Sequence, residues 1–301
     1  MWRLQRVNAK VKMIISMMVF GTIGVFVKNI PLSSGEIALF RAVIATLAIA
    51  FYQLISRKKM KFPSKKKEGL LLLLSGAAMG FNWIFLFEAY RYTSVSIATL
   101  SYYFAPVIVM IVCPILFKEK LTTKQIICFV MSTVGLVLVI GIGGFERSST
   151  QLVGIGFGLS AAILYAMIIL LNKFIKEVDG IERTFMQFLA AIIVLVPYLS
   201  MTSGIHLEKM GRIGLLNLLI VGIIHTGITY CMYFSSLKAL KGQEAAILGY
   251  IDPLVAIIVS VSILGESINL TQIIGGIMIL AFTLINEMNT NLSKKQTHQE
   301  I

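Results

Sequence analysis

The fold the sequence predicts is an all-α integral membrane protein, with ten transmembrane helices arranged as two inverted five-helix repeats. Three observations carry that expectation. The 301-residue chain is 57% hydrophobic and only 14% charged, with a mean hydropathy of +0.87. Cutting it at polar clusters and turn residues leaves ten apolar stretches near the ~20 residues a helix needs to cross a bilayer. Two stretches match each other at one gapless offset, so that Tyr103, Pro106, Glu119 and Gln125 return as Tyr250, Pro253, Glu266 and Gln272. Each half holds five spans, an odd number, so the second copy must enter the membrane from the opposite side. The apolar runs lack the alternation of barrel strands, which leaves helices as the spanning structure.

The elements follow in order. Span one, 13–30, comes after the basic segment Arg3, Arg6, Lys10 and Lys12 and has no small-residue cleavage site behind it, so it is expected to be retained. Span two, 36–55, ends at a loop carrying seven cations between Arg57 and Lys67. Span three, 69–89, holds Gly76 and Gly80 four residues apart, a spacing that lets helix backbones approach. Span four, 94–117, contains Pro106 near its middle, and span five is 122–141. Span six, 153–173, repeats the small-residue spacing at Gly154 and Gly158. Spans seven to ten are 183–203, 214–236, 243–264 (with Pro253) and 271–288. The chain is thereby divided into a basic N-terminus 1–12, a first repeat 13–145, a second repeat 146–289 and a polar tail 290–301.

Charge placement sets the expected orientation. With ten spans, 21 of the 27 Lys and Arg residues fall on the side of the two termini. The other side holds Lys28, Arg91, Arg147, Lys209 and Arg212, and Arg41 lies within a span. The positive-inside rule puts both termini in the cytoplasm. The net charge of +13 therefore needs no nucleic acid to explain it, and the basic loop is a topology signal that can also meet anionic head groups. Cys113, Cys128 and Cys231 all lie inside spans without C-x-x-C spacing, as small packing residues do. There is no phosphate-binding G-x-x-x-x-G-K-[ST] loop. Gly154, Gly156 and Gly158 imitate a dinucleotide fingerprint but have no strand before them. His206, His225 and His298 have no zinc spacing, so no metal or cofactor is expected.

The polar groups within the spans are the candidates for function, because an ionisable residue there costs at least ~2.5 kcal/mol and faces a cavity or a partner. Arg41, His225 and Asp252 stand out. Two also have a plain structural reading: Arg41 can snorkel to the interface, and Asp252 can serve the helix end freed by Pro253 or pair with Arg41 or a span-end lysine. Pro106 and Pro253 should kink or break their helices near the midplane. Tyr103 and Tyr250, three residues earlier, share the proline faces. Asn82 and Trp83 align with Thr229 and Tyr230 at the same offset, and Tyr165 aligns with Phe20 at a slightly different one. The sharper reading collects Arg41, Asn82, Trp83, Tyr103, Tyr165, His225, Tyr230, Tyr250 and Asp252 in one aromatic central cavity; the plainer one is bundle packing or lipid contact. Glu119 and Glu266 are expected to be structural, satisfying amides at the next helix start.

Several segments together resemble the EamA branch of the drug/metabolite transporter superfamily. They are Gly21 to Lys28, Phe40-Arg41, Asn82 to Ala89, Ala98 through Pro106 to Glu119, and Ala245 through Tyr250 and Asp252-Pro253 to Glu266. The two Pro…Glu segments are the most specific. The resemblance implies a bundle of two inverted repeats around a central cavity, in a secondary transporter of the plasma membrane. It further implies a small-metabolite cargo, often an amino acid or related compound moved outward. No catalysis is implied, and a homodimer is compatible with it. Gln187 stands where the repeat would place a second Arg41, so the halves should not contribute equally to charge recognition. Two readings from other classes stand beside it: an intramembrane hydrolase using Ser160 and His225, and a non-transporting membrane receptor or scaffold.

Overall fold

The computed structural model describes residues 2–57, 62–93, 98, 101–118, 121–140, 149–178, 180–202, 204–206, 210–264, 270–271, 273–279, 281–282 and 285. Among them every regular element is helical. Helices α1 (Trp2–Gly21) and α2 (Ile23–Lys28) form the first span, followed by α3 (Ser34–Ser56) and α4 (Lys66–Tyr92). Then come α5 (Ala105–Phe117), α6 (Thr123–Ile140), α7 (Ser149–Phe174) and α8 (Gly180–Met201). Helix α9 (Arg212–Ile220) runs through a π-helical segment, Val221–Ile228, into α10 (Thr229–Ala239). The last two are α11 (Gly242–Gly249) and α12 (Ile251–Leu264). Residues of 270–285 that are described are also helical.

Among the described residues six helical stretches are long and apolar enough to cross a membrane: Val7–Lys28, Ser34–Ser56, Lys66–Tyr92, Leu152–Phe174, Gly180–Met201 and Arg212–Ala239. Ala105–Phe117, Thr123–Leu138 and Ile247–Ala256 are shorter apolar helices. The first helix starts at Trp2, so the basic stretch expected as a separate N-terminal arm continues the span. Fourth and ninth spans do not run through. Tyr103 and Phe104 form a turn, after which α5 starts with Pro106 in its first turn, where a missing N–H costs nothing. Tyr250 likewise occupies a turn between α11 and α12, with Pro253 in the first turn of α12. Both prolines thus begin helices and do not kink them. Glu119, Glu266, Arg147 and Lys209 lie outside the described residues, as does much of the basic loop.

Packing interleaves the two halves. Helix α4 lies against α7 and α8, α3 against α8 and the π segment, and α1 against α10 and α12. One continuous apolar core joins them. Gly76 and Gly158 are two of the close approaches between helices. A β-carbon on Gly76 would come 2.6 Å from Ala190 Cβ, and one on Gly158 would come 2.6 Å from Ser101 Cβ. The outer surface is apolar as well. Leu47, Leu54, Ile115, Ile193 and Ile213 are all more than half exposed, which suits contact with lipid chains and not with water.

Several polar groups are satisfied at the helix ends. Glu36 and Ser33 form a capping box on α3, the Ser33 amide donating to Glu36 Oε2 at 2.8 Å and the Glu36 amide to Ser33 Oγ at 3.3 Å. The other Glu36 oxygen accepts from the His206 amide at 2.6 Å, joining the 29–33 and 204–206 loops. On the opposite face Glu68 accepts from the amides of Lys176 and Glu177, at 3.2 and 3.0 Å. Lys65 Nζ lies 2.8 Å from Glu177 there, and Lys173 donates to the Leu240 carbonyl. Arg183, fully buried, donates to the carbonyls of Asn172, Ile175 and Val178 at the end of α7.

Candidate functional site

A cavity of about 100 Å³ lies between α1/α2, α3, α4, α10 and α12. Gly24, Lys28, Phe87 and Tyr90 line it and also line a vestibule bounded by Pro31, Ser33, Glu36, Arg91 and His206. The cavity therefore opens toward the face of the 29–33 and 204–206 loops. The opposite face is the one tied by Lys65–Glu177 and Lys173–Leu240.

Arg41 is the cationic pole. It projects from α3, is 2% exposed, and carries its guanidinium carbon 4.3 Å from the centre of the Trp83 ring, with Phe87 at 5.8 Å and Tyr230 at 6.0 Å. Stacking on an aromatic face offsets part of the cost of taking the charge out of water. Its Nε donates to Thr226 Oγ1 at 3.0 Å. The Thr226 hydroxyl spends its own hydrogen on the Val221 carbonyl at 2.6 Å, five residues back, a reach that the π winding supplies. Trp83 Nε1 donates to Tyr230 Oη at 2.9 Å.

Asp252 is the anionic pole, at the start of α12, hydrogen-bonded to the Tyr103 hydroxyl. Tyr102 stacks on Tyr165 with ring centres 5.2 Å apart, and Tyr233 donates to Tyr165 Oη at 3.1 Å. Tyr102 and Tyr230 lie within electrostatic reach of both Arg41 and Asp252. Among the described residues neither charge is in an ion pair.

Of the nine residues expected in the cavity, the structure brings six together: Arg41, Trp83, Tyr103, Tyr165, Tyr230 and Asp252. Three are elsewhere. Asn82 is one position from Trp83, so it points about 100° round the helix, where Nδ2 donates to the Ala161 carbonyl of α7 at 2.7 Å. His225 sits in the π segment, which turns it toward the first span; its Nε2 is 2.9 Å from Thr22 Oγ1 and its ring is against Phe26. Tyr250 turns to α6, its hydroxyl 2.7 Å from Thr133 Oγ1, beside Leu136 and Ile279. Gln187, the counterpart of Arg41, is also outside the cavity, donating to Ser75 Oγ at 2.7 Å in a buried network with Asn172. Ser160 is not a partner of either His225 nitrogen, which face Thr22 and the Ile220 carbonyl.

The sequence reading missed Tyr102, Tyr233, Lys28 and Thr226. Tyr233 was within its reach, since it is three residues from Tyr230 and shares its face. Thr226 was not, because its placement depends on a π register that 3.6-residue periodicity does not show.

A polytopic helical bundle enclosing a polar and aromatic cavity is the construction of a membrane transporter. The chain belongs to the EamA-like transporter family, whose model matches residues 9–141 and again 152–287. It is 35% identical over 279 residues to the uncharacterized transporter YxxF of Bacillus subtilis, covering 92% of this chain and 88% of that one. It is 28% identical over 276 residues to an uncharacterized transporter of Archaeoglobus fulgidus, covering 90% and 93%. The protein PecM of Dickeya dadantii is 23% identical over 71% of this chain and 72% of its own. A crystal structure of another protein shares the fold, with a TM-score of 0.78 over 91% of this chain and 95% of that one at 13% identity. The protein is thus a multi-pass membrane transporter and not an enzyme, which removes the hydrolase reading of Ser160 and His225.

Proposed function

We propose that this transporter moves a small metabolite, an amino acid or related compound, out of the cell across the plasma membrane by alternating access. The observation that carries the reading is the cavity itself. It lies between elements of both halves, is lined by Arg41, Lys28, Asp252 and a set of tyrosines, and leads to the face of the 29–33 and 204–206 loops. The 21 cations on the other face make that face cytoplasmic, so the mouth is on the outer side and both termini are inside.

The inverted ten-span repeat is part of the same proposal. Trp83 and Tyr230 are equivalent positions 147 residues apart, and they hydrogen-bond to each other, as equivalent residues do only beside a twofold axis. Exchange of the halves also maps the packing onto itself: α1 lies on α10 and α12, and α7 lies on α4 and α5. The moving bodies are then bundles drawn from both halves, and not one sequence half against the other. Flux into proteoliposomes from a panel of labelled amino acids, nucleobases and amines tests the function. Saturable transport of an amino acid, reduced by Trp83→Ala in a monodisperse protein, is the expected result. Flux confined to nucleobases or amines would sink the cargo, and flux of nothing in the panel would sink the reading.

A further inference from the structure

We propose that the transported solute is held by two poles in a fixed orientation, its carboxylate against Arg41 and its ammonium toward Asp252 and Tyr103, and that Thr226 is the positioning residue that aims Arg41. The inference rests on the amino-acid reading above and adds to it the orientation of the cargo and the task of the π segment.

Arg41 is buried, yet among the described residues no carboxylate pairs with it. A buried guanidinium in this state is incomplete, because the protein supplies aromatic faces and the hydroxyls of Thr226 and Tyr230 but no full counter-charge. With Nε committed to Thr226, one face to Trp83 and one hydrogen bond to the Tyr230 hydroxyl, the rest of the fork is what remains for a ligand, and Arg41 lines the cavity. A planar fork of this kind matches a carboxylate with two parallel hydrogen bonds. Asp252 lines the same cavity with a tyrosine hydroxyl as its partner, and among the described residues it is in no ion pair, although Lys28 lines the cavity toward its mouth. A solute bearing both charges completes both poles at once.

The π segment explains how Arg41 is aimed. In α register the Thr226 hydroxyl would bond the carbonyl four residues back; here it reaches Val221, five back, and its lone pair meets Arg41. Gly222 permits the approach, since a β-carbon there would come 2.6 Å from Ile44 Cβ on α3. Removing the Thr226 acceptor should leave the guanidinium in the cavity but free to turn, which weakens carboxylate binding and not binding in general.

The test uses the full chain in nanodiscs with Trp2→Phe, which leaves Trp83, the ring under Arg41, as the one tryptophan. Emission is titrated with L-leucine, L-leucine methyl ester and N-acetyl-L-leucine, and with the same three forms of L-phenylalanine. The free amino acids should bind saturably, with the ester and the acetyl form each roughly a hundredfold weaker, as expected when a buried charge loses its partner. Thr226→Val should weaken the free acids about tenfold, the size of one hydrogen bond to a charged group, without changing the ester, and Thr226→Ser should restore them. A folding defect would lower all ligands together and would not respond to serine. Arg41→Gln should abolish the preference for acid over ester; if it fails to fold, the ester comparison and the Thr226 pair decide. Ester bound as tightly as acid, valine and serine at 226 behaving alike, or no response to either amino acid would each overturn the proposal. Amino-acid flux that persists with acid and ester bound equally would overturn it while leaving the proposed function standing.

Discussion

Gly76→Ala tests whether α4 and α8 are held as closely as the structure shows. The added β-carbon would lie 2.6 Å from Ala190 Cβ and 2.9 Å from Gln187 Cα, with the Gln187 carbonyl nearer still. Carbon atoms rest at about 3.5–4.0 Å, so the helices must part by roughly 1 Å at this point. Two of the three obstacles are backbone atoms and cannot rotate away. The adjacent Ser75 accepts from Gln187 Nε2 at 2.7 Å and from Asn172 Nδ2 at 3.0 Å, and parting the helices stretches these bonds as well. Overpacking of this kind costs about 1–3 kcal/mol, and strained buried hydrogen bonds add about 1 kcal/mol, against a helix-propensity gain from alanine of about 0.5–1 kcal/mol. The expected net loss is about 2 kcal/mol. Gly80→Ala is the internal control. Its β-carbon would meet the flexible Leu195 side chain at 3.3 Å, so its cost and gain should nearly cancel. Thermal unfolding of the purified proteins in one detergent, read by size-exclusion recovery after heating, separates the two. A Gly76→Ala protein as stable as wild type, or the two variants shifted alike, would refute the packing argument.

Four further outcomes are expected. Tyr250→Phe loses the bond to Thr133 and should cost about 1 kcal/mol of stability while leaving flux intact, because Tyr250 is outside the cavity; lost flux in a stable protein would return it to the site. Asp252→Ala should reduce amino-acid flux in a protein that still inserts, whereas flux equal to wild type would remove Asp252 from the site. The Lys65 ammonium, with Ser64, holds the half-buried Glu177 carboxylate at about 2, below the ordinary 4.5. Its contribution is therefore complete above about pH 4.5 and lost as pH falls toward 2, so the stability gap between wild type and Glu177→Gln should shrink over that window and with added salt; a gap unchanged at pH 2 would contradict the pairing. In intact cells lacking the native cysteines, a cysteine at Ser64 should resist a membrane-impermeant maleimide and one at Arg91 should react; the reverse pattern would overturn the orientation.

The membrane class, most helix positions and two-thirds of the candidate site were legible because they depend on local signals. Apolar runs near twenty residues report spans directly. Glycines four apart reported close contacts, and at Gly76 and Gly158 the contacts are present. The tyrosines preceding each proline marked helix breaks, though the prolines begin helices and do not bend them. What the sequence hid depends on winding and on partners distant in the chain. The π register redirects His225 away from the cavity and brings the Thr226 hydroxyl to Arg41, and nothing in the local pattern of Val221–Ile228 announces it. Glu68 was overlooked as a cap because its partners, the Lys176 and Glu177 amides, are far along the chain, as is the His206 amide that Glu36 receives beyond its local capping box with Ser33.

Tyr250 shows how a repeat can mislead and then inform. Aligning it with Tyr103 implied that both hydroxyls face the cavity. The residue that receives Tyr103 is Asp252, and its equivalent in the first half is Ala105, which can accept nothing. The residue that receives Tyr250 is Thr133, and its equivalent in the second half is Leu280. Each tyrosine therefore has one polar partner available, and the two partners lie in different directions. A buried hydroxyl follows its partner, since leaving it unpaired costs about 1–3 kcal/mol. The same logic separates Arg41 from Gln187: the arginine enters the cavity beside Trp83 and Thr226, while the shorter neutral amide is absorbed by Ser75 and Asn172. The backbone repeat supplies two similar frames, and three substitutions between them make one cavity with a cationic end and an anionic end. The polarity of the site is thus encoded where the halves differ, and an alignment scored by identity passes over those positions.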